Sequence, residues 1–394
     1  MRYAHIVEEA KVASNRTEPA SLIVKTAAQS RVDINYNLST DKSLRHIYKD
    51  AKGNINYSKF LEDLDALAGN VAFFFCDDGL PETSACSLVT ACVEQIEIFR
   101  KISIHEDIVL SGQVVWVGKS SLDVLVEAHQ FPVGNAPETP QLLEAAGSGT
   151  RVLSSVFTYV ARDRTTGKAT TINPLSTVGM TAAEKRFYDE RAAAAAARKG
   201  AVAEAVFDIA TLSARKMALE NALSRGKALQ NLPCLAGPGV LMSSTALENT
   251  FICQPQKCNT AGKVFGGYLI HEACNLAQAS MYMFSGRPAQ LMFIPKIVFR
   301  RPVLIGDMIK LSARVVYASR EQPRRAMCEI TCQIVKPEQA SSLLSNHFSF
   351  VFALEGDMSL QVLPGSREEG EALVSGATRV LRIRPEDLAE EYES

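Results

Sequence analysis

The sequence predicts an α+β protein in which one plan, a central helix followed by antiparallel strands, is built twice; three internal matches predict it. Asp50 to Leu61 lines up with Asn259 to Ile270, and an amphipathic helix follows each. Phe99-Arg100-Lys101 with Asp107 recurs 200 residues later as Phe299-Arg300-Arg301 with Asp307. Leu110 to Trp116 recurs 201 residues later as Leu311 to Tyr317. Three matches in the same order imply a duplicated domain, folded as an intramolecular pseudo-dimer with one site assembled from both halves. Only the second copy carries paired glycines, Gly266-Gly267.

The 394 residues exceed what one core usually supports. They divide into an N-terminal extension (1–30), a first domain (31–175), a helical connector (176–240), a second domain (241–365) and a charged C-terminal tail (366–394). Within the first domain, residues 32–38 alternate as a half-buried strand. Leu61, Leu64, Ala68, Val71, Ala72 and Phe75 then form one apolar stripe on a helix, which a sheet must cover. Strands follow at 87–98, 108–117, 121–129 and 154–161, with Thr166-Gly167 as a turn before 169–172. In the connector, 184–197 and 201–223 are rich in helix formers, with Gly200 and Gly226 as stops. The second domain repeats the order: strand 249–253, glycine loop, helix 268–284, and strands 292–300, 308–317, 326–335 and 347–354. The tail reads as a surface helix with a frayed end.

Hydrophobic residues make up 47% and charged residues 22%, ordinary for a globular chain with two cores. With 42 basic and 43 acidic residues there is no global field to hold nucleic acid. No apolar run reaches the roughly 20 residues that span a bilayer, so no transmembrane segment is expected. The first residues read as neither a signal nor a transit peptide, and by themselves name no compartment. Nine cysteines without paired spacing fit reduced thiols. His271 and Cys274 share a helical face, but two ligands without a third make no zinc site, and no metal or cofactor is expected.

The chemistry concentrates on four residues. Gly266 and Gly267 stand where a helix begins, so their amides lack intrahelical partners and can hold a developing oxyanion. Asn259, on the same loop, can donate to a carbonyl or orient a water. The bland alternative is that the glycines allow close packing and Asn259 caps a turn. Seven residues beyond Gly267 stands Cys274, whereas the same count from Ser58 reaches Asp65. The copy with the glycines thus lacks the carboxylate that the other copy has, and one composite site would hold Asp65, Asn259, Gly266 and Gly267. Asp65 lies on the sheet-facing side of its helix, where a carboxylate is costly unless it has a function. Glu62 and Asp63 are expected to be solvated acids of the first turn. Arg300, Arg301 and Lys101, at equivalent strand ends, are candidates for receiving phosphates, or are simply solvated charges. No serine elbow or nucleotide fingerprint is present, so hydrolysis here would use an activated water.

Leu61 to Gly69, Gly112 to Ser121, Ile252 to Asn259, Phe265-Gly266-Gly267 and Asn173-Pro174-Leu175 resemble the double-hotdog acyl-CoA thioesterases, in particular the mitochondrial acyl-CoA thioesterase nine type. The resemblance spans about residues 30–380 and implies tandem hotdog domains, each a helix in a curled antiparallel sheet. It implies hydrolysis of fatty acyl-CoA to free acid and coenzyme A, with coenzyme A entering only as part of the substrate. Asp65 matches the acid that activates water, Asn259 the residue that positions water or carbonyl, and the Gly267 amide the oxyanion donor. It also implies association into a homo-oligomer and a mitochondrial location, with the cytoplasm as the alternative. Gln254, Phe75 and Asn275 depart from the family pattern. The alternative from another class is a non-catalytic protein that binds and senses acyl-CoA; a hotdog hydratase would need an Asp and a His at a spacing that neither half has.

Overall fold

A computed structural model describes residues 18–393 except 20, 81–82, 85, 135–148, 165, 201–208, 235–237, 258–262, 321–322 and 356–359. After a two-residue strand at Glu18–Pro19 and a short 3-10 turn at Ala28–Ser30 come β1 (Val32–Tyr36), α1 (Lys42–Tyr48) and the long helix α2 (Tyr57–Cys76). Strands β2 (Ser87–Val93), β3 (Ile96–Ile98), β4 (Asp107–Val117), β5 (Ser121–Phe131) and β6 (Thr150–Arg162) follow. Helices α3 (Ala182–Gly200) and α4 (Ile209–Asn231) lead to β7 (Gly239–Leu241), β8 (Leu247–Ile252) and the second long helix, α5 (Gly266–Ser285). Then come β9 (Gln290–Ile294), β10 (Ile297–Val298), β11 (Met308–Ala318), β12 (Arg325–Lys336), β13 (Ser341–Ala353), β14 (Gln361–Leu363), α6 (Arg367–Ser375) and α7 (Pro385–Glu393).

These elements form two compact units, and the units are not contiguous in sequence. The first takes residues 1–200, 252–272 and 296–307; the second takes 201–251, 273–295 and 308–394. The chain between β8 and the first turns of α5 therefore belongs with α2, and residues 176–200, expected in a connector, belong to the first unit.

In the first unit the strands run β1-β4-β5-β6-β2-β10, every pair antiparallel, with β3 also on β6. Helix α2 starts because the Asn56 side chain accepts from the Lys59 amide, and it buries Leu61, Leu64, Leu67, Ala68, Val71, Ala72 and Phe75 against β2, β4, β5 and β6. The second unit has strand order β8-β11-β12-β13-β9, and α5 places Cys274 and Ser280 on Cys328 of β12. Each unit is a helix against a curled antiparallel sheet, the hotdog arrangement, and the fold is a double hotdog.

The duplication extends to irregularities. Register shifts at Val114/Trp116 and at Thr90/Cys92 have counterparts at Val315/Tyr317 and Leu291/Phe293, each 201 residues later. At the first bulge the Val114 amide donates to Ser30 Oγ at 2.9 Å; the Val315 amide donates to Thr245 Oγ1 at 2.9 Å. Bulges re-aim side chains and survive divergence when the fold needs them.

Several expected boundaries move. Residues 87–98 form two strands, with a break at Glu94-Gln95 where the Glu94 amide still donates to the Val156 carbonyl at 2.8 Å, and 169–172 make only a single bridge, Arg162 to Ala169. Gly226 does not stop α4. A Cβ there would stand 1.8 Å from the Pro364 carbonyl oxygen, so the glycine permits a close crossing within the helix. The C-terminal segment is not a frayed surface helix: Leu373, Val374, Leu388 and Tyr392 are buried, and the Tyr392 hydroxyl donates to the Val362 carbonyl at 3.1 Å. A small apolar stripe anchors it, and the Glu391 carboxylate adds to the anchor by accepting from the Tyr317 hydroxyl at 2.7 Å and from the Arg320 amide at 3.2 Å.

Helix α3 is likewise more than a link. Arg191 meets the fully buried Asp123 at 2.8 Å; Arg198 reaches Asp123 at 3.3 Å and Glu94 at 3.2 Å, and Lys296 reaches Glu94 at 2.9 Å. Thr158 donates to Asp123 at 2.7 Å and completes its shell.

Candidate active site

Three acids within a single turn of α2 point to three different surroundings. Asp63 is buried; the Tyr36 hydroxyl donates to it at 3.0 Å, the Tyr48 hydroxyl also donates to it, and Lys59 lies 3.3 Å away. Glu62 is bound by Lys59 and Lys257, each at 3.2 Å. The expectation that both are solvated first-turn acids is therefore corrected: the helix begins at Tyr57, so they lie in its second turn, where packed elements surround it. Burial opposes ionisation of Glu62, yet Lys59 and Lys257 outweigh it and hold its pKa below the ordinary value. Burial dominates at Asp63 and raises its pKa.

Asp65 is 3% exposed. The Gly267 amide donates to its Oδ2 at 2.6 Å. The Tyr159 hydroxyl donates to the Asp65 carbonyl at 3.1 Å and stands 3.5 Å from Oδ1, while the Thr90 side chain hydrogen-bonds the carboxylate. Burial pushes the Asp65 carboxyl up to about 6; the bonds from Gly267, Tyr159 and Thr90 restrain the rise, and the Glu62 charge adds to it. A buried carboxylate held by two hydroxyls and an amide in a helix-sheet seam is the arrangement a general base needs.

Glycine is required beside it. A Cβ on Gly267 would lie 2.7 Å from Asp65 Cβ and 3.1 Å from Oδ2, and one on Gly266 would lie 2.9 Å from Phe299 Cζ. The structure thus brings together Asp65, Gly267 and Gly266. The Gly267 amide is engaged by the carboxylate, a partner that the sequence did not suggest for it. Asn259 lies outside the described residues. Arg300 and Arg301 are exposed directly after Phe299, the residue packed on Gly266; Lys101 is exposed between β3 and β4, and none of the hydrogen bonds around Asp65 involves it. Gln254 is exposed, Phe75 is buried in the α2 seam and Asn275 is exposed on α5.

Tyr159 and Thr90 escaped sequence reasoning because hydroxyls on strands carry no signal by themselves. A signal existed in the repeat. The paired bulges make Leu291 the counterpart of Thr90, and its strand partner Phe352 the counterpart of Tyr159. With Cys274 in place of Asp65, all three polar groups of the first unit have apolar or thiol counterparts in the second. Burial raises the Cys274 thiol well above its usual range. Divergence after duplication kept one carboxylate constellation.

No protein-family model matches the chain. It is 34% identical over 369 residues to acyl-coenzyme A thioesterase 2, chloroplastic, of Humulus lupulus, covering 90% of this chain and 81% of that protein. Acyl-coenzyme A thioesterase 4, mitochondrial, of the same plant is 35% identical over 362 residues, covering 89% and 66%. Acyl-coenzyme A thioesterase 9, mitochondrial, of Bos taurus is 25% identical over 355 residues, covering 89% and 76%. A hotdog fold with a buried, hydroxyl-lined carboxylate fits the hydrolase class. The chain belongs to the acyl-coenzyme A thioesterase family.

Proposed function

We propose that the protein hydrolyses acyl-CoA to free acid and coenzyme A, with Asp65 as the base that takes a proton from water. The observation that carries this reading is the buried Asp65 carboxylate whose Oδ2 accepts from the Gly267 amide at 2.6 Å, with burial pushing its pKa up to about 6. Such a group is largely ionised above about pH 7, and its basicity exceeds that of an ordinary aspartate by about two orders of magnitude. When water attacks the thioester carbonyl, Asp65 gains the proton while negative charge grows on the carbonyl oxygen. Protonation weakens Asp65 as an acceptor at the moment when an oxyanion needs a donor, so the Gly267 amide can pass from one to the other. Asn259, on the same loop, is assigned to orient the water or the carbonyl. Arg300, Arg301 and Lys101 are assigned to the phosphates of coenzyme A, and no further cofactor enters the reaction.

An organellar location and homo-oligomeric association belong to the same proposal; chloroplastic and mitochondrial relatives support the first. Among the described residues no helix is long and apolar enough to cross a membrane.

The test is release of coenzyme A from short, medium and long acyl-CoAs, followed by chromatography because nine thiols would consume a thiol-reactive dye. Asp65→Asn and Asn259→Ala are each expected to lower kcat by about 100-fold or more while remaining folded. Undiminished release by Asp65→Asn refutes the base. Tight binding of acyl-CoA without release by the wild type would leave an acyl-CoA sensor.

A further inference from the structure

We propose that Glu62 is a positioning residue that holds the Gly267 amide on Asp65, an inference that rests on the reading of Asp65 as the base. Glu62 stands one turn before Asp65 on α2. Its Oε1 meets Lys257 Nζ at 3.2 Å; its Oε2 meets Lys59 Nζ at 3.2 Å and lies 3.6 Å from His271 Nδ1. Lys257 is fixed to the chain that enters α5, because the Phe265 amide donates to the Lys257 carbonyl at 3.0 Å. His271 is one turn beyond Gly267 on α5. The chain before Gly267 is therefore tied through Lys257 to a carboxylate on the helix that presents Asp65, while the His271 imidazole beyond Gly267 packs beside that carboxylate without a hydrogen bond.

The contact is close as well as charged. A Cβ at Gly267 would lie 3.1 Å from the Glu62 carbonyl oxygen, and the Lys257 ammonium lies 4.8 Å from the ring of Tyr268, the next residue in the chain. The charged and titratable groups facing Glu62 are Lys59 and Asp63 from α2, Lys257 from the chain before α5, and Tyr268 and His271 from α5, with Glu272 behind Tyr268. Those facing Asp65 are Glu62 and Tyr159. Two lysines keep Glu62 ionised, so the tie persists across the working pH range. A displacement of about 1 Å at a reacting group costs up to about 100-fold in rate, so a loosened tie is expected to show in catalysis before it shows in folding.

The experiment compares Glu62→Gln and Lys257→Met with wild type and Asp65→Asn, reading kcat, KM, the acid limb of kcat against pH, and circular dichroism. Positioning predicts that each variant loses about tenfold or more in kcat, with KM within about threefold. It also predicts that the acid limb moves to higher pH, since the Gly267 bond lowers the Asp65 pKa and would be weakened. If Glu62 acted only as a neighbouring negative charge, its removal would move the limb to lower pH. A limb that falls or stays put in Glu62→Gln overturns the proposal. Should that variant fail to fold, Glu62→Asp decides by the same readout, since it keeps the charge but shortens the reach to Lys257: positioning predicts a limb at higher pH, and a charge-only role predicts no shift. Activity retained by Asp65→Asn would defeat the base assignment itself; loss in Asp65→Asn beside unchanged Glu62 and Lys257 variants would defeat the positioning role alone.

Discussion

Asp65 shows how far one residue's role can be read from spacing and where reading stops. Its place on the sheet-facing side followed from its distance to Leu61, and its lack of a counterpart followed from Cys274. Its partners did not: Thr90, Tyr159 and Gly267 are brought to it by the fold over separations of 25 to 202 residues. The perturbed carboxyl has a thermodynamic cost. A carboxyl whose pKa is higher folded than unfolded binds its proton more tightly in the folded state. Its contribution is therefore most favourable below the ordinary value of 3.8, is lost as pH rises through about 6, and stays lost above that. A shift of this size corresponds to about 3 kcal/mol at most. Asp65→Asn, which keeps an acceptor for the Gly267 amide, is expected to be more stable than wild type at pH 7.5 by about 1–3 kcal/mol, with the difference vanishing below about pH 3. Urea unfolding followed through Trp116, the sole tryptophan and a buried residue of β4, measures it. A difference independent of pH would contradict the raised pKa.

At the scale of elements, periodicity located the two long helices and most strands, because each buries an apolar face that its sheet demands. It failed where the cause was tertiary. Helix α3 contains six consecutive alanines and looked like a spacer, yet Arg191 and Arg198, seven residues apart, lie on one face and converge on Asp123 and Glu94 of the sheet. No local pattern announces a partner 68 residues earlier. Since Asp123 is fully buried, it depends on these cations. Arg191→Met leaves it short of its closest one and is expected to destabilise the first unit by about 3 kcal/mol, toward the low end for breaking a buried pair because Arg198 remains. Asp123→Asn in the same chain should restore most of the loss. The Trp116 transition in urea checks both, and an unaltered midpoint in Arg191→Met would show that α3 is held by packing alone.

At the scale of the whole molecule, the duplication was legible because both copies must keep the same helix, bulges and strand ends, whereas the partition into units was not. Residues 252–272 and 296–307 follow the second copy in sequence but the first unit in space, and nothing in composition marks that exchange. The charge balance has a functional consequence. With a net charge of −1, the protein exerts no long-range attraction on a polyanionic substrate, so any electrostatic capture must come from a local cluster. Arg300-Arg301, exposed directly after the phenylalanine packed against Gly266, is such a cluster. If it receives the phosphates of coenzyme A, replacing both arginines with serine should raise KM for acyl-CoA by about tenfold at low ionic strength while leaving kcat within about twofold, because the chemistry at Asp65 is unaltered. The deficit should shrink as salt rises toward 0.5 M, since screening removes in the wild type what the substitution removes from the variant. Steady-state kinetics at several salt concentrations measure this directly. Equal KM values at low salt would exclude the pair from substrate capture, and a fall in kcat with unchanged KM would instead make it part of the support for the glycine loop.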